Sequence, residues 1–355
     1  MLIVDGHLDL AWNACQWGRD LLRSVDAIRQ SEHGLEGRAW GAGTVALPEL
    51  RAGRVAVAIA SVLARSTGTP EARLDYRTVA EAGVVARDQI AWYRAREHDG
   101  HLVVLETADA LHRHMESWHS WELEPDPVPP RLGVVLSLEG ADPVAEPDEL
   151  SVWHGAGVRI VGLSHYGTGR YAGGTGSECG LTGLGRELLA RVGEHRMALD
   201  VTHLTDPGVA EALDLHPGPV LASHSNARAL VPHDRQLTDA QILAVAERGG
   251  VVGVALDCWM LDPAWVRGQT GNTVLLINAV DHIDHVCQLT GSIAHVGIGS
   301  DLDGGFGREQ SPRDLDTIAD LQLIAGHLAD RGYGAADVAA VMHGNWLRLL
   351  GRCLP

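Results

Sequence analysis

The first residues capable of chemistry come at once: Ile3-Val4-Asp5-Gly6-His7-Leu8-Asp9-Leu10 delivers a histidine and an aspartate two positions apart. Side chains alternate faces along a β-strand, so His7 and Asp9 would project from the same side. Chelation of one divalent cation by an imidazole and a carboxylate requires that arrangement. A lone His-x-Asp is weak, because such a pair at a strand end usually hydrogen-bonds locally. The event recurs, however: later apolar runs end in Glu139, His165, His203, His224 and Asp301. Imidazoles with an Asp and a Glu suit Zn2+, and a carboxylate can bridge two such ions. Two ions a few ångströms apart can hold a hydroxide between them and polarise a carbonyl. Each residue singly is more often a satisfied structural group. All seven on one rim would not be.

The elements that must position them are strands. The apolar runs are Ile3–Leu10, Arg54–Leu63, Leu132–Glu139, Val158–His165, Met197–His203, Pro219–His224, Gly250–Leu256 and His295–Asp301. Between them lie stretches of helical spacing: Tyr76–Glu97, Asp148–His154, Gly185–His195, Pro207–Leu213, Thr238–Arg248, Thr273–Leu289, Asp314–Arg331 and Ala335–Leu350. Strands apolar on both faces belong to a parallel sheet covered by helices. Eight of them predict an α/β fold, a (β/α)8 TIM barrel, whose strand ends meet at the face where such enzymes build their sites. A doubly wound open sheet is the alternative, but no Gly-x-Gly-x-x-Gly follows any strand. His101–Glu106 reads as a further short strand-like piece, Leu10 to about Gly53 as irregular and Gly-rich, and Trp118–Pro130 as an extended surface loop. The pattern on either side of that proline-rich loop is alike, so residues 1–355 read as one catalytic barrel domain.

Composition narrows the partners. Net charge is −18, which argues against nucleic acid or an anionic membrane surface. No run approaches the roughly 18 apolar residues of a membrane span, and no signal-peptide pattern opens the chain. A cytoplasmic location is expected. The 5 cysteines are scattered and never paired as Cys-x-x-Cys, so they read as reduced thiols. All 28 basic residues are arginine. Schiff-base chemistry, P-loop phosphate binding and a carbamylated-lysine metal bridge are therefore excluded.

The stretches Asp5-Gly6-His7-Leu8-Asp9, Ser137-Leu138-Glu139-Gly140, Leu163-Ser164-His165, Asp200-Val201-Thr202-His203, Ala222-Ser223-His224-Ser225 and Gly297-Ile298-Gly299-Ser300-Asp301-Leu302-Asp303-Gly304 together resemble the membrane dipeptidase (renal dipeptidase, M19) family of the amidohydrolase superfamily. The likeness runs in order over almost the whole chain. It implies a cofactor of two Zn2+ ions per chain, bridged by Glu139 where related enzymes use carbamylated lysine. His7 and Asp9 would bind one ion, and His203 and His224 the other. Asp301 would take a proton from the water and return it to the leaving amine, and His165 would stabilise the oxyanion. Arg235, in Pro232-His233-Asp234-Arg235, would grip the substrate's C-terminal carboxylate. The implied activity is hydrolysis of dipeptides, L-L and/or L-D, with a small peptide as the sole partner and a homodimer as a candidate assembly.

The sequence departs from the family where many members end one strand in asparagine and an aromatic; here it reads Val254-Ala255-Leu256-Asp257-Cys258-Trp259. Asp257 is expected to add negative charge to the pocket and favour a basic side chain in the substrate. The loops 41–50 and 167–180 are too glycine-rich to read. Two alternatives accompany the dipeptidase expectation: another amidohydrolase reaction on an N-acyl amino acid, lactone or cyclic amide, and a barrel that binds without turnover.

Overall fold

A computed structural model describes residues 1–65, 74–270 and 273–355. Among the described residues nine strands form one parallel sheet: β1 Ile3–Leu8, β2 Val55–Val62, β3 Leu102–Val104, β4 Leu132–Leu138, β5 Val158–Gly162, β6 Ala198–Asp200, β7 Val220–Leu221, β8 Val252–Val254 and β9 Val296–Ile298. Their order is β7-β6-β5-β4-β2-β1-β9-β8, with β3 pairing β4 off this path. A parallel bridge from Ala222 to Val252 joins the two ends. Ala222 N donates to Val251 O at 3.0 Å and Gly253 N donates to Ala222 O at 2.8 Å, so the ring closes. This is the expected eight-stranded barrel, not an open sheet.

Sequence explains the closure locally. β2 is Val-Ala-Val-Ala-Ile-Ala-Ser-Val and every residue of it is buried, as a strand packed on both faces demands. Gly253 and Gly299 both approach the carbonyl oxygen of Ser223 so closely that a Cβ at either would overlap it. Glycine is the residue that lets these strand ends converge.

The structure corrects several expected elements. The segment after β1 is not irregular: it holds helices Leu10–Gln16, Val25–Ser31 and Leu47–Ala52. Ser24 caps the second by accepting from Ala27 N, and a proline opens the third. The Trp118–Pro130 loop starts later than expected, because helix Ala108–Leu123 runs through Trp118 and Trp121. The prolines begin only at Pro125, and Trp118 is fully buried with its Nε1 donating to Arg131 O at 3.2 Å. The stretch Asp314–Arg331 is a 3-10 turn, Ile318–Leu321, followed by helix Gln322–Asp330. The last helix is interrupted by a π-turn at Ala340–Gly344. Among the described residues no helix is long and apolar enough to cross a membrane.

Candidate active site

The barrel brings the expected polar residues to one place by a simple rule. His165, His203, His224, Asp257 and Asp301 each stand three residues beyond the last residue of their strand, and Glu139 stands one beyond β4. His7 lies inside β1 and Asp9 just after it. Glu139 sits at the centre and divides its two oxygens. Its Oε2 is 3.2 Å from His7 Nε2. Its Oε1 is 3.3 Å from His203 Nε2, 3.5 Å from His224 Nε2 and 3.8 Å from His165 Nε2. His7 Nε2 also lies 3.7 Å from Asp9 Oδ1 and 3.9 Å from Asp301 Oδ1. Arg235 reaches in from its loop: Nη1 donates to Ser225 Oγ at 2.9 Å and Nη2 to His224 O at 2.8 Å.

Residues that carried no assigned role in the sequence hold this cluster in register. Asp5 Oδ1 accepts from His7 N at 3.1 Å and from Ser300 N at 2.8 Å, tying β1 to the end of β9. Asp200 Oδ1 repeats the device, accepting from Thr202 N at 3.0 Å and Ser223 N at 3.1 Å. The Thr175 hydroxyl is 3.0 Å from His203 Nδ1 and the Ser223 hydroxyl 2.8 Å from His224 Nδ1. Ser61 Oγ donates to Asp9 Oδ1. His203 and Asp301 adopt φ of 68° and 56°, a left-handed conformation that non-glycine residues occupy where surroundings over-determine it. The repeated Asp two residues ahead of a braced N–H was the one signal in the sequence that could have exposed Asp5 and Asp200. Thr175 lies in the glycine-rich loop 167–180, where nothing marked it.

The electrostatics of the cluster divide its imidazoles into two kinds. Burial would lower His7, but Glu139 and Asp9 outweigh it and hold the imidazole well above its usual value. Burial, Arg235 and the neighbouring imidazoles hold His203 and His224 well below theirs, in the neutral form that ligates. Burial, reinforced by Asp9 and Glu139, pushes Asp301 well up. His203 Nε2 and His224 Nε2 point at each other across 3.2 Å although their other ring nitrogens are already engaged. Buried His7 Nε2 and Glu139 Oε2 make no hydrogen bond among the described residues. Orphaned buried donors and acceptors are costly unless something satisfies them. Three overlapping sets can converge on an ion: His7-Glu139-His224, Glu139-His165-His203 and His7-Asp9-Asp301. The donor set fits a divalent metal.

Above the cluster opens a cavity of about 510 Å3, lined also by Trp12, Trp17, Trp40, Tyr166, Trp259 and several arginines. Asp257 stands on its wall, as expected. Its carboxylate is not an isolated charge, however: Gln310 Nε2 donates to Oδ1 at 2.6 Å and Oδ2 at 2.7 Å, and Trp259 Nε1 to Oδ2 at 2.7 Å. Burial pushes this carboxyl up to about 6.

The family description "Membrane dipeptidase (Peptidase family M19)" matches residues 1–353. The chain belongs to the M19 family. With that membership it is a metal-dependent dipeptidase, a hydrolase. Dipeptidase aclJ of Aspergillus oryzae is 26% identical over 356 residues, covering 98% of this chain and 77% of that protein. An uncharacterized protein in the pqqA 5' region of Klebsiella pneumoniae is 32% identical over 230 residues, 62% of this chain and 81% of that one. A metallo peptidase from Rhodobacter sphaeroides, solved with a phosphinate mimic of L-Ala-D-Ala, superposes with a TM-score of 0.77 at 23% identity over 99% of both chains. That likeness shows a shared fold.

Proposed function

We propose that this M19 enzyme is a binuclear zinc dipeptidase acting on dipeptides with a free C-terminal carboxylate. The observation that carries the reading is the division of Glu139: one oxygen faces His7, the other faces His203 and His224. His7 and Asp9 would hold one ion and His203 and His224 the second, with Glu139 shared. When bound, the ions supply an acidified water and polarisation of the scissile carbonyl. The protein's own residues do the rest. Asp301 Oδ1, 3.9 Å from His7 Nε2, takes the proton of the attacking water and returns it to the leaving amine. His165, at the same rim, stabilises the negative charge that develops on the scissile carbonyl oxygen. Arg235, anchored through Ser225 and His224, offers a guanidinium fork to the terminal carboxylate.

The same reading has the protein in the cytoplasm as a single domain over residues 1–355, with small peptides as partners, no nucleic acid or membrane, and a homodimer as its candidate assembly. The net charge of −18 supports the absence of polyanionic partners. Asp301→Asn is the test of the chemistry. Hydrolysis of dipeptides should be lost while metal content and fold persist, and surviving activity would refute the proton-transfer role.

A further inference from the structure

The cavity carries a second, outer set of cations that carboxylate-terminus binding does not use. Arg38 and Arg267 come from separate loops and line the same cavity as Arg235. Arg267 is oriented: its Nε donates to Gln310 Oε1 at 2.8 Å, and Gln310 in turn holds Asp257. Asp257, with Gln310 and Trp259 on its oxygens, has little left to offer a bound cation. Arg65, also on the wall, is matched by Asp75 at 3.0 Å. Arg38 lies on the cavity wall with an exposed side, and no hydrogen bond or ion pair to another side chain is seen for it among the described residues. Its guanidinium is disfavoured by burial and then by the like charge of Arg267, which Asp257 and Glu309 offset only in part. The other acid of this wall, Glu36, is exposed to solvent.

Two guanidinium groups facing one cavity repel each other until an anion sits between them. A carboxylate is the anion whose geometry their planar donors match. Trp17 and Trp40, with ring centroids 4.7 Å apart, supply an apolar flank for the methylene stem of such a side chain. The cavity volume falls within the roughly 300–1,000 Å3 of small-molecule sites. Resting on the dipeptidase reading, we propose that this enzyme selects dipeptides bearing a second carboxylate, an Asp or Glu side chain, which Arg38 and Arg267 receive while Arg235 holds the chain terminus. This moves side-chain selection from Asp257 to the arginines that surround it and reverses its sign.

The test compares kcat/KM for isosteric pairs, Ala-Asp against Ala-Asn and Asp-Ala against Asn-Ala, each with L and D C-terminal residues, on the metal-loaded enzyme. The acid of at least one pair should be preferred by about tenfold or more, as charge-assisted hydrogen bonds confer. In Arg38→Gln and Arg267→Gln that ratio should fall several-fold, and Arg267→Glu should shift preference toward Ala-Arg. Each ratio is internal to one variant, so a loss of folded protein leaves it unchanged. A ratio near one in the parent, or one that survives both substitutions, overturns the proposal. Cleavage of Ala-Ala together with a ratio near one removes only this inference. Failure to cleave any dipeptide removes it together with the dipeptidase reading.

Discussion

The pocket has two walls built on different principles. The inner wall, from His7 to Asp301, hangs on strand ends of the closed ring, is almost wholly buried and is braced by carboxylates that couple neighbouring strands. The outer wall, with Arg38, Arg267, Trp17 and Trp40, hangs on loops, and Arg38 and Arg267 each keep an exposed side. The contrast teaches where chemistry and choice of substrate reside. Reaction geometry needs side chains held to a fraction of an ångström, which ring strands provide. Selection among side chains tolerates loops, and loops change without disturbing the barrel.

The sharpest way to break the comparison is at the inner wall. Glu139→Gln removes charge from both halves at once and should cost about three orders of magnitude or more in kcat together with metal retention, measured by steady-state assay and metal analysis. Arg235→Met should lower kcat/KM by about ten- to hundredfold for free dipeptides, chiefly through KM, and far less for dipeptides whose C-terminus is amidated. Equal losses on both would dissociate Arg235 from the carboxylate. Asp200→Ala should leave the ligand set intact yet cost about 1–3 kcal/mol of stability and about tenfold or more in metal affinity, because two backbone N–H groups lose their acceptor. An outer-wall residue such as Arg38 should change substrate ratios and leave metal affinity alone.

The smallest effect concerns acid stability away from the pocket. Burial lowers His216 and His282 to about 4, with Arg248 beside the first and His285 beside the second adding to it and Asp281 opposing. Both are neutral in the folded protein but protonate from about 6.5 downward when unfolded. The unfolded chain therefore binds more protons between pH 6.5 and about 4, and stability is full above that window and lost as pH falls through it. The two together should contribute at most a few kcal/mol. Denaturant unfolding of His216→Gln across this range should show a shallower loss than the parent.

How much was legible follows the same division. Residues at strand ends announce themselves, because a buried apolar run can end in His, Asp or Glu only where the fold uses or satisfies that group; hence the barrel and all seven inner-wall residues were readable. Asp257 was readable as a wall residue for the same reason. What its charge does was not, because Gln310, 53 positions away, takes its oxygens. Arg38 and Thr175 lie in irregular, glycine-rich segments whose paths depend on tertiary contacts, so nothing in their spacing distinguished them from surface residues. The short helices after β1 escaped for a related reason: Leu10–Gln16 and Val25–Ser31 are 7 residues each, too short for a period to emerge.

The measurement that bears most directly on the central claim is metal content of the purified protein after equilibration with zinc and removal of the excess. A shared Glu139 requires about two ions per chain in the parent and their loss in Glu139→Gln. One ion per chain would contradict a bridging carboxylate and move the substrate search to cyclic amides; none would remove the metal site itself.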